Sequence, residues 1–261
     1  MVQSASRPAA RLEIFALPDF PLVEAGDDLA GLILDGVARL GLGLAPQDVV
    51  VLAQKVVSKA EGRLVRLAEV TPSARATALA QEVRKDARLV ELILSESVRV
   101  VRTRPDVLIV EHRLGLVMAN AGIDQSNIRH DGGEAALLLP LDPDASADRL
   151  RAAIERRTGV APGVVINDSF GRPWRRGTTG IAIGAAGLPS MIDRRGETDL
   201  FGRTLRATMI AHADEIAAAA SLVMGQSTEA TPVVLVRGLA WSAADNPAAT
   251  LIRTPEEDLF R

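Results

Sequence analysis

The sequence predicts an α/β fold, and three observations point to it. Hydrophobic residues make up 48% of the 261 residues while aromatics make up 3% with no Tyr, so a core must be built from Val, Leu, Ile and Ala. Short β-branched runs, Asp48 to Ala53, Val164 to Ile166 and Val233 to Val236, read as buried strands. Between them lie stretches with apolar residues at helical spacing.

Taken in order, Leu12 to Leu17 reads as a first strand. GDDLAGLILDGVARLG then places Leu29, Leu32, Ile33, Gly36, Val37 and Leu40 on one helical face, with Asp27 as the expected N-cap. The strand Asp48 to Ala53 delivers Gln54, Lys55, Ser58 and Lys59 onto an expected loop. Pro72 and Ser73 open a helix near Ala74 to Lys85, and Asp86 to Glu96 continues in helical period. Val98 to Val101, Val107 to Val110 and Leu116 to Met118 follow as strands. Gly132 and Gly133 mark a flexible connection before the apolar Leu137 to Leu139, and a capped helix is expected from Ser146. The strand Val164 to Ile166 is expected to end at Asp168. Gly177, Gly180, Gly184 and Gly187 stud an apolar segment where missing side chains permit close backbone approach. Ala211 to Met224 is an Ala-rich helix stopped at Gly225, Val233 to Val236 a last strand and Glu256 to Phe260 a polar tail.

Length allows one large domain or two small ones, and no linker or internal repeat divides the chain. The formal charge of −3, from 30 basic and 33 acidic residues, is mixed along the sequence and offers no single-sign field for nucleic acid or an acidic membrane. Zero Cys excludes disulfides, thiolate nucleophiles and Cys-based metal sites, and suits a reducing, cytoplasmic compartment. The N-terminal MVQSASRPAARLEIF, with Arg7 and Arg11, lacks the apolar stretch of a secretion signal. The longest apolar run, Ile216 to Gly225, is far short of the ~20 residues that span a bilayer.

Chemistry concentrates in NAGIDQSN (Asn120 to Asn127) and INDSFGRPWRRG (Ile166 to Gly177). Carboxylates that follow apolar strands converge on the crevice where α/β sheets hold ligands. Asp124 and Asp168, without basic residues beside them in sequence, would repel each other unless a divalent cation joined them. Ser169, Gln226 and Glu229 add oxygen donors suited to magnesium or manganese; turn and cap formation explains the same residues equally on spacing alone. Lys55 and Lys59 could neutralise phosphate or simply decorate a surface turn. Arg172, Arg175 and Arg176 could grip phosphate or carboxylate, or form ion pairs with Asp193 or Asp199. No G-x-x-x-x-G-K-[ST] occurs, and GIAIGAAG does not match G-x-G-x-x-G, which argues against a P-loop or a Rossmann site. His112, His130 and His212 lack metal spacing and read as structural or surface residues.

With these motifs in view, the chain resembles the coenzyme F-420:L-glutamate ligase family, also called coenzyme F-420-0:gamma-glutamyl ligases. The resemblance runs through FPLVEAGDDLA, VVVLAQKVVSKAEGRLV, VMANAGIDQSN, LLLPLDPDASADRLR, INDSFGRPWRRGTTGIAIGAAG, DLFGRTL, ADEIAAAASLVMGQ and PVVLVRG. It implies an unusual mixed α/β (α+β) architecture and an intertwined homodimer. It also implies a single module over residues 1–261, without the nitroreductase-like domain fused in some relatives. The implied reaction uses GTP and divalent metal, two magnesium or manganese ions with potassium as a further option, to join L-glutamate to the deazaflavin coenzyme F-420-0. By resemblance, Asp124, Asp168, Ser169 and Gln226 are metal ligands. Phe20, Pro21, Leu22, Val23, Gln54, Lys55, Lys59, Asn127, Met224, Gly225, Gln226, Ser227 and Glu229 form the GTP site, and Lys59 and Asp168 take part in catalysis. The family varies between Gln and Glu at Gln226, and the amide leaves one negative charge fewer on the metals. Arg172, Arg175 and Arg176 are expected to orient the deazaflavin tail or glutamate. The alternatives are a metal- and nucleotide-dependent phosphohydrolase and a non-catalytic GTP-binding module.

Overall fold

The apolar runs of the sequence become neighbouring strands of one mixed sheet. The computed structural model describes residues 10–130 and 132–259; Arg7 and the last expected tail residue, Phe260, lie outside the described residues. In chain order the elements are β1 (Glu13–Ala16), α1 (Leu29–Arg39), β2 (Val49–Ala53), α2 (Gln54–Ala60), β3 (Leu64–Arg66), α3 (Ala74–Val83), α4 (Ala87–Ser95), β4 (Ser97–Arg104), β5 (Val107–His112), β6 (Val117–Ala119), β7 (Ala135–Leu137), α5 (Pro143–Thr158), β8 (Gly163–Arg172), β9 (Arg175–Ala186), β10 (Ile192–Asp193), β11 (Met209–Ile210), α6 (His212–Met224) and β12 (Val233–Arg237).

The main sheet has the order β1-β12-β2-β8-β9. Its pairs are antiparallel except β2 with β8, which run parallel in the register Val49↔Gly163 to Ala53↔Asn167. Alternation explains the continuous apolar runs. Val49, Val51, Val165, Val234 and Val236 pack toward α6. Val50, Leu52, Val164, Ile166, Val233 and Leu235 pack toward α1 and α5. Both faces are therefore covered, and the stretches of these strands that lie between the helices must be apolar on both sides. Each such side chain contributes about 1.5–3 kcal/mol on burial.

A second core lies under the α3–α4 hairpin, where Val83, Val90 and Ile93 meet Leu108 and Val110 of β5, Leu67 and Leu138. Its supporting strands form a three-stranded sheet, β4-β5-β6, and a two-stranded one, β3-β7. Among the described residues no helix is long and apolar enough to cross a membrane.

The structure corrects four local expectations. Asp28, rather than Asp27, caps α1 by accepting from the Gly31 amide, while Asp27 accepts from the Glu24 amide and closes the preceding turn. Helix α5 begins at Pro143 with Asp142 as its cap; Pro is pre-set for the first helical position, and Ser146 is buried within the helix, donating to Glu61. Gln54, Lys55, Ser58 and Lys59 lie on helix α2 and not on a loop. Finally, β8 does not end at Asp168 but runs on to Arg172 and returns as β9. A bulge between Ile166 and Asn167 lets the polar residues continue in the ladder.

The glycine-studded segment is β9 itself. A Cβ at Gly180 would lie 2.6 Å from the Ala217 carbonyl oxygen of α6, and one at Gly184 would lie 2.4 Å from the Pro143 oxygen of α5. The two helices thus approach the same strand from opposite sides, and glycine is what the contact permits.

Candidate functional site

The parallel pair β2 and β8 ends beside a cleft of about 670 Å³. This is the carboxyl edge of the parallel strands, the usual ligand position in open α/β sheets. The chain leaving β2 turns directly into α2, which presents Gln54, Lys55 and Lys59. Strand β8 supplies Asn167, Asp168 and Ser169 to the floor. The loop after β1 adds Phe20 to Ala25, and the segment that follows α6 adds Met224 to Pro232. Asn127, Ile128 and Arg129 close a further side.

The side chains are held by specific contacts. Lys55 Nζ lies 2.6 Å from Asp124 Oδ2 and donates to Ser126 Oγ at 2.8 Å. Asp124 also accepts from the Ser126 amide at 2.7 Å and from its hydroxyl at 3.0 Å. Its backbone bridges Leu137 of β7, which ties the motif to the second core. Lys59 Nζ donates to the Asn127 carbonyl at 2.7 Å, and Asn127 Nδ2 donates to the Ser227 carbonyl at 3.3 Å. Ser169 Oγ donates to Gln226 Oε1 at 2.6 Å. Glu229 folds back to accept from the Ser227 amide at 2.7 Å. A Cβ on Gly225, whose φ is +75°, would collide with that Glu229 side chain, so glycine fits here on two counts.

Asp168 is the electrostatic anomaly. Burial pushes its carboxyl up to about 7, with the negative charge of Asp124 adding to the effect; the Ser169 amide and the Lys55 charge oppose it. Lys59 is lowered by burial first and then by the positive charges of Lys55 and Arg129. The floor thus holds an acid whose charged form is disfavoured, and the wall holds Lys59, whose charged form is disfavoured too. Asp124, Asp168, the Ser169 hydroxyl and the Gln226 amide are all hard oxygen donors, a set that fits magnesium or manganese. Among the described residues no group of three or more His, Cys, Asp or Glu offers a metal site, so any ion here would rest on two carboxylates with neutral oxygens.

All of Phe20, Pro21, Leu22, Val23, Gln54, Lys55, Lys59, Asn127, Asp168, Ser169, Met224, Gly225, Gln226, Ser227 and Glu229 line this one cleft. Asp124 stands just behind it through Lys55. The absence of a basic partner, inferred from local sequence, does not hold for Asp124, because Lys55 arrives from 69 positions earlier by way of α2. Arg172, Arg175 and Arg176 are not in the lining. They sit exposed at the tip of the β8–β9 hairpin, and the ion pairs considered for them do not form: Asp193 pairs with Arg195, and Asp199 accepts backbone amides of Phe201 and Arg203. The three histidines stay out of the cleft lining. His112 is buried, His130 bonds Gln125 and Ala135, and His212 packs edge-on to Trp241.

The sequence reading passed over Glu24, Arg129 and Asn167, which also line the cleft. Asn167 hides inside a strand pattern, and Arg129 falls two residues beyond a motif whose other members drew attention. Their signal was adjacency to chemistry-bearing positions rather than any pattern of their own.

Residues 19–238 match the family described as F420-0:Gamma-glutamyl ligase. The chain belongs to that family. It is 45% identical over 252 residues to the Coenzyme F420:L-glutamate ligase of Methanothermobacter thermautotrophicus, covering 96% of this chain and 99% of the relative. The protein of the same name from Methanopyrus kandleri is 46% identical over 258 residues, 97% of this chain and 98% of its own. That of Archaeoglobus fulgidus is 45% identical over 252 residues, 96% and 97% respectively. The match to the F420-0:Gamma-glutamyl ligase family spans every cleft-lining segment, from Phe20 to Pro232.

Proposed function

We propose that this protein is a GTP-dependent ligase that joins L-glutamate by an amide bond to the lactyl-phosphate carboxylate of coenzyme F-420-0, and then extends the tail through γ-glutamyl links. The relatives' names supply the substrate class. The observation that carries the reading is the gathering of Lys55, Lys59, Asp168, Ser169 and Gln226 around one cleft with an apolar wall of Phe20 to Val23 and Met224.

A carboxylate resists attack by an amine because it is anionic and has a poor leaving group. Transfer of the γ-phosphoryl group from GTP to the acceptor carboxylate oxygen, with GDP leaving, makes an acyl phosphate. The glutamate amine then attacks the carbonyl carbon, gives up a proton and expels phosphate. Lys55 and Lys59 neutralise phosphoryl oxygens, and the apolar wall seats the base, so positioning and electrostatics provide most of the rate. Asp124, Asp168, Ser169 and Gln226 would hold the divalent ions, which when bound offset the charge that builds on the β- and γ-phosphates. The hairpin arginines meet the anionic tail where it leaves the cleft.

Assembly as a homodimer in the cytoplasm belongs to the same reading. Leu200 and Phe201 are almost wholly exposed, as residues awaiting a second copy would be. The decisive experiment is mass spectrometry of the protein incubated with GTP, manganese or magnesium, L-glutamate and the glutamate-free deazaflavin. GTP-dependent addition of glutamate masses is expected. GTP turnover that ignores glutamate would point to a hydrolase, and binding without turnover to a non-catalytic module.

A further inference from the structure

Among the described residues three cations line the cleft, and only two of them are accounted for by the chemistry above. Lys55 is held by Asp124 at 2.6 Å. Lys59 donates to the neutral carbonyl of Asn127. The third is Arg129, whose Nη1 lies 3.1 Å from Glu24 Oε1. Asp124 and Glu24 offset two of these charges, while Lys59 is lowered by burial first and then by the positive charges of Lys55 and Arg129. The wall therefore keeps a net positive charge at Lys59, and an anionic ligand that displaced Glu24 from Arg129 would meet a second.

The Glu24–Arg129 pair has a particular place. Glu24 belongs to the loop that follows β1, Arg129 to the loop that follows Asp124, and both line the cleft. Their contact joins the two loops. It is also weak, since the side chains are 66% and 61% exposed and exposed pairs contribute little. The Glu24 backbone amide donates to Asp27 at 2.8 Å, which holds its loop in place, and both exposed side chains can exchange this contact for another partner.

Resting on the ligase reading, we infer that Arg129 is a third phosphate-binding cation for the nucleoside triphosphate, and that Glu24 is the carboxylate with which the phosphates compete for it. A guanidinium offers two parallel donors to phosphate oxygens, which a solvated carboxylate partner does not outcompete when the phosphates also face Lys55 and Lys59. Glu24 then acts against binding, so removing its charge tightens the nucleotide.

The test is calorimetric titration of the full chain with the β,γ-imido analogue of GTP in the presence of magnesium. Arg129→Gln should weaken binding about tenfold, the effect of one charge-assisted contact, and Arg129→Lys should recover part of it. Glu24→Gln should tighten binding a few-fold, and that gain should vanish in the Arg129→Gln background. Steady-state kinetics form the second arm: KM for GTP should follow the titration while KM for L-glutamate stays put. Unchanged binding in Arg129→Gln, weaker binding in Glu24→Gln, or a rise in the glutamate KM alone would each overturn the assignment while leaving the ligase reading intact. Failure of the unmodified protein to bind the analogue at all would overturn both.

Discussion

Asp168 shows how one side chain is set against its surroundings. It is held in the cleft floor where burial raises its carboxyl to about 7, and Asp124 adds to that push. Such perturbation marks functional positions more often than structural ones. Asp168→Asn keeps the shape and removes the charge. Turnover should fall by at least about a hundredfold, while the thermal midpoint stays level or rises because an acid is no longer forced into a poor environment. Near-normal kcat would remove Asp168 from the chemistry. Its neighbour Asn167 acts at one remove. Asn167 Nδ2 donates to Ser221 Oγ at 3.0 Å and lies 3.5 Å from Met224 Sδ, clipping β8 to the end of α6, just before Gln226. Asn167→Ala should raise the manganese concentration needed for half-maximal activity several-fold, with a stability loss of about 1–2 kcal/mol. A loss of stability with unaltered metal activation would make it a packing residue only.

At the scale of elements, β9 is where strand and helices are fitted together. Gly180→Ala would drive a methyl group against Ser221 Oγ and the Ala217 carbonyl, and overpacking of this kind costs about 1–3 kcal/mol. Gly171 lies on the same hairpin with open space around it; Gly171→Ala should stay within about 0.5 kcal/mol of the parent in denaturant unfolding. Equal effects at the two positions would contradict the close approach of α6. The tip of this hairpin carries Arg172, Arg175 and Arg176 outside the cleft lining. Arg175→Ala should raise the KM of the deazaflavin or of glutamate and spare GTP affinity. Collapse of GTP affinity instead would place the tip in the nucleotide site.

For the whole molecule, the two cores are joined by a partly buried ionic knot. Glu96 lies 2.9 Å from Arg63 Nη2, 3.0 Å from Arg113 Nε and 3.4 Å from His112 Nε2. Arg63 also donates to the Leu139 carbonyl and Arg113 to the Leu141 carbonyl. His112 Nδ1 accepts from the Leu114 amide, which leaves Nε2 to face Glu96. Burial opposes ionisation of Glu96, yet the contacts with His112, Arg63 and Arg113 outweigh it and hold the carboxyl at about 2, below its usual 4.5. The folded state therefore binds this proton less readily than the unfolded chain. Its contribution is complete above about pH 4.5 and drains away as pH falls toward 2. At most it is about 3 kcal/mol, and less once solvent screening is counted. The parent protein should lose thermal stability over that range more steeply than Glu96→Gln, which should start lower at neutral pH because two guanidinium groups lose their carboxylate. Parallel pH profiles would show that the knot contributes nothing.

Much of this molecule was legible from local pattern. Val49 to Ala53, Val164 to Ile166 and Val233 to Val236 could be read as buried strands because strands covered on both faces leave no polar position. Ser73 could be read as a helix start because capping is a contact between near neighbours in sequence, although the same reasoning misplaced the caps of α1 and α5 by one and four residues, where two acids or a proline competed for the role, and passed over Asp86 as the cap of α4. The motifs around Asp124, Asp168 and Gln226 were visible as clusters of oxygen donors and carried the family resemblance. Sequence alone thus determined the fold class, the core strands and the chemical character of the cleft. What only the tertiary structure decided was which groups meet: Lys55 with Asp124, Ser169 with Gln226, Arg129 with Glu24, and the hairpin arginines with none of the cleft. Each of these pairs spans a long stretch of chain, and a periodic pattern records which face a residue occupies but not which distant face is folded against it.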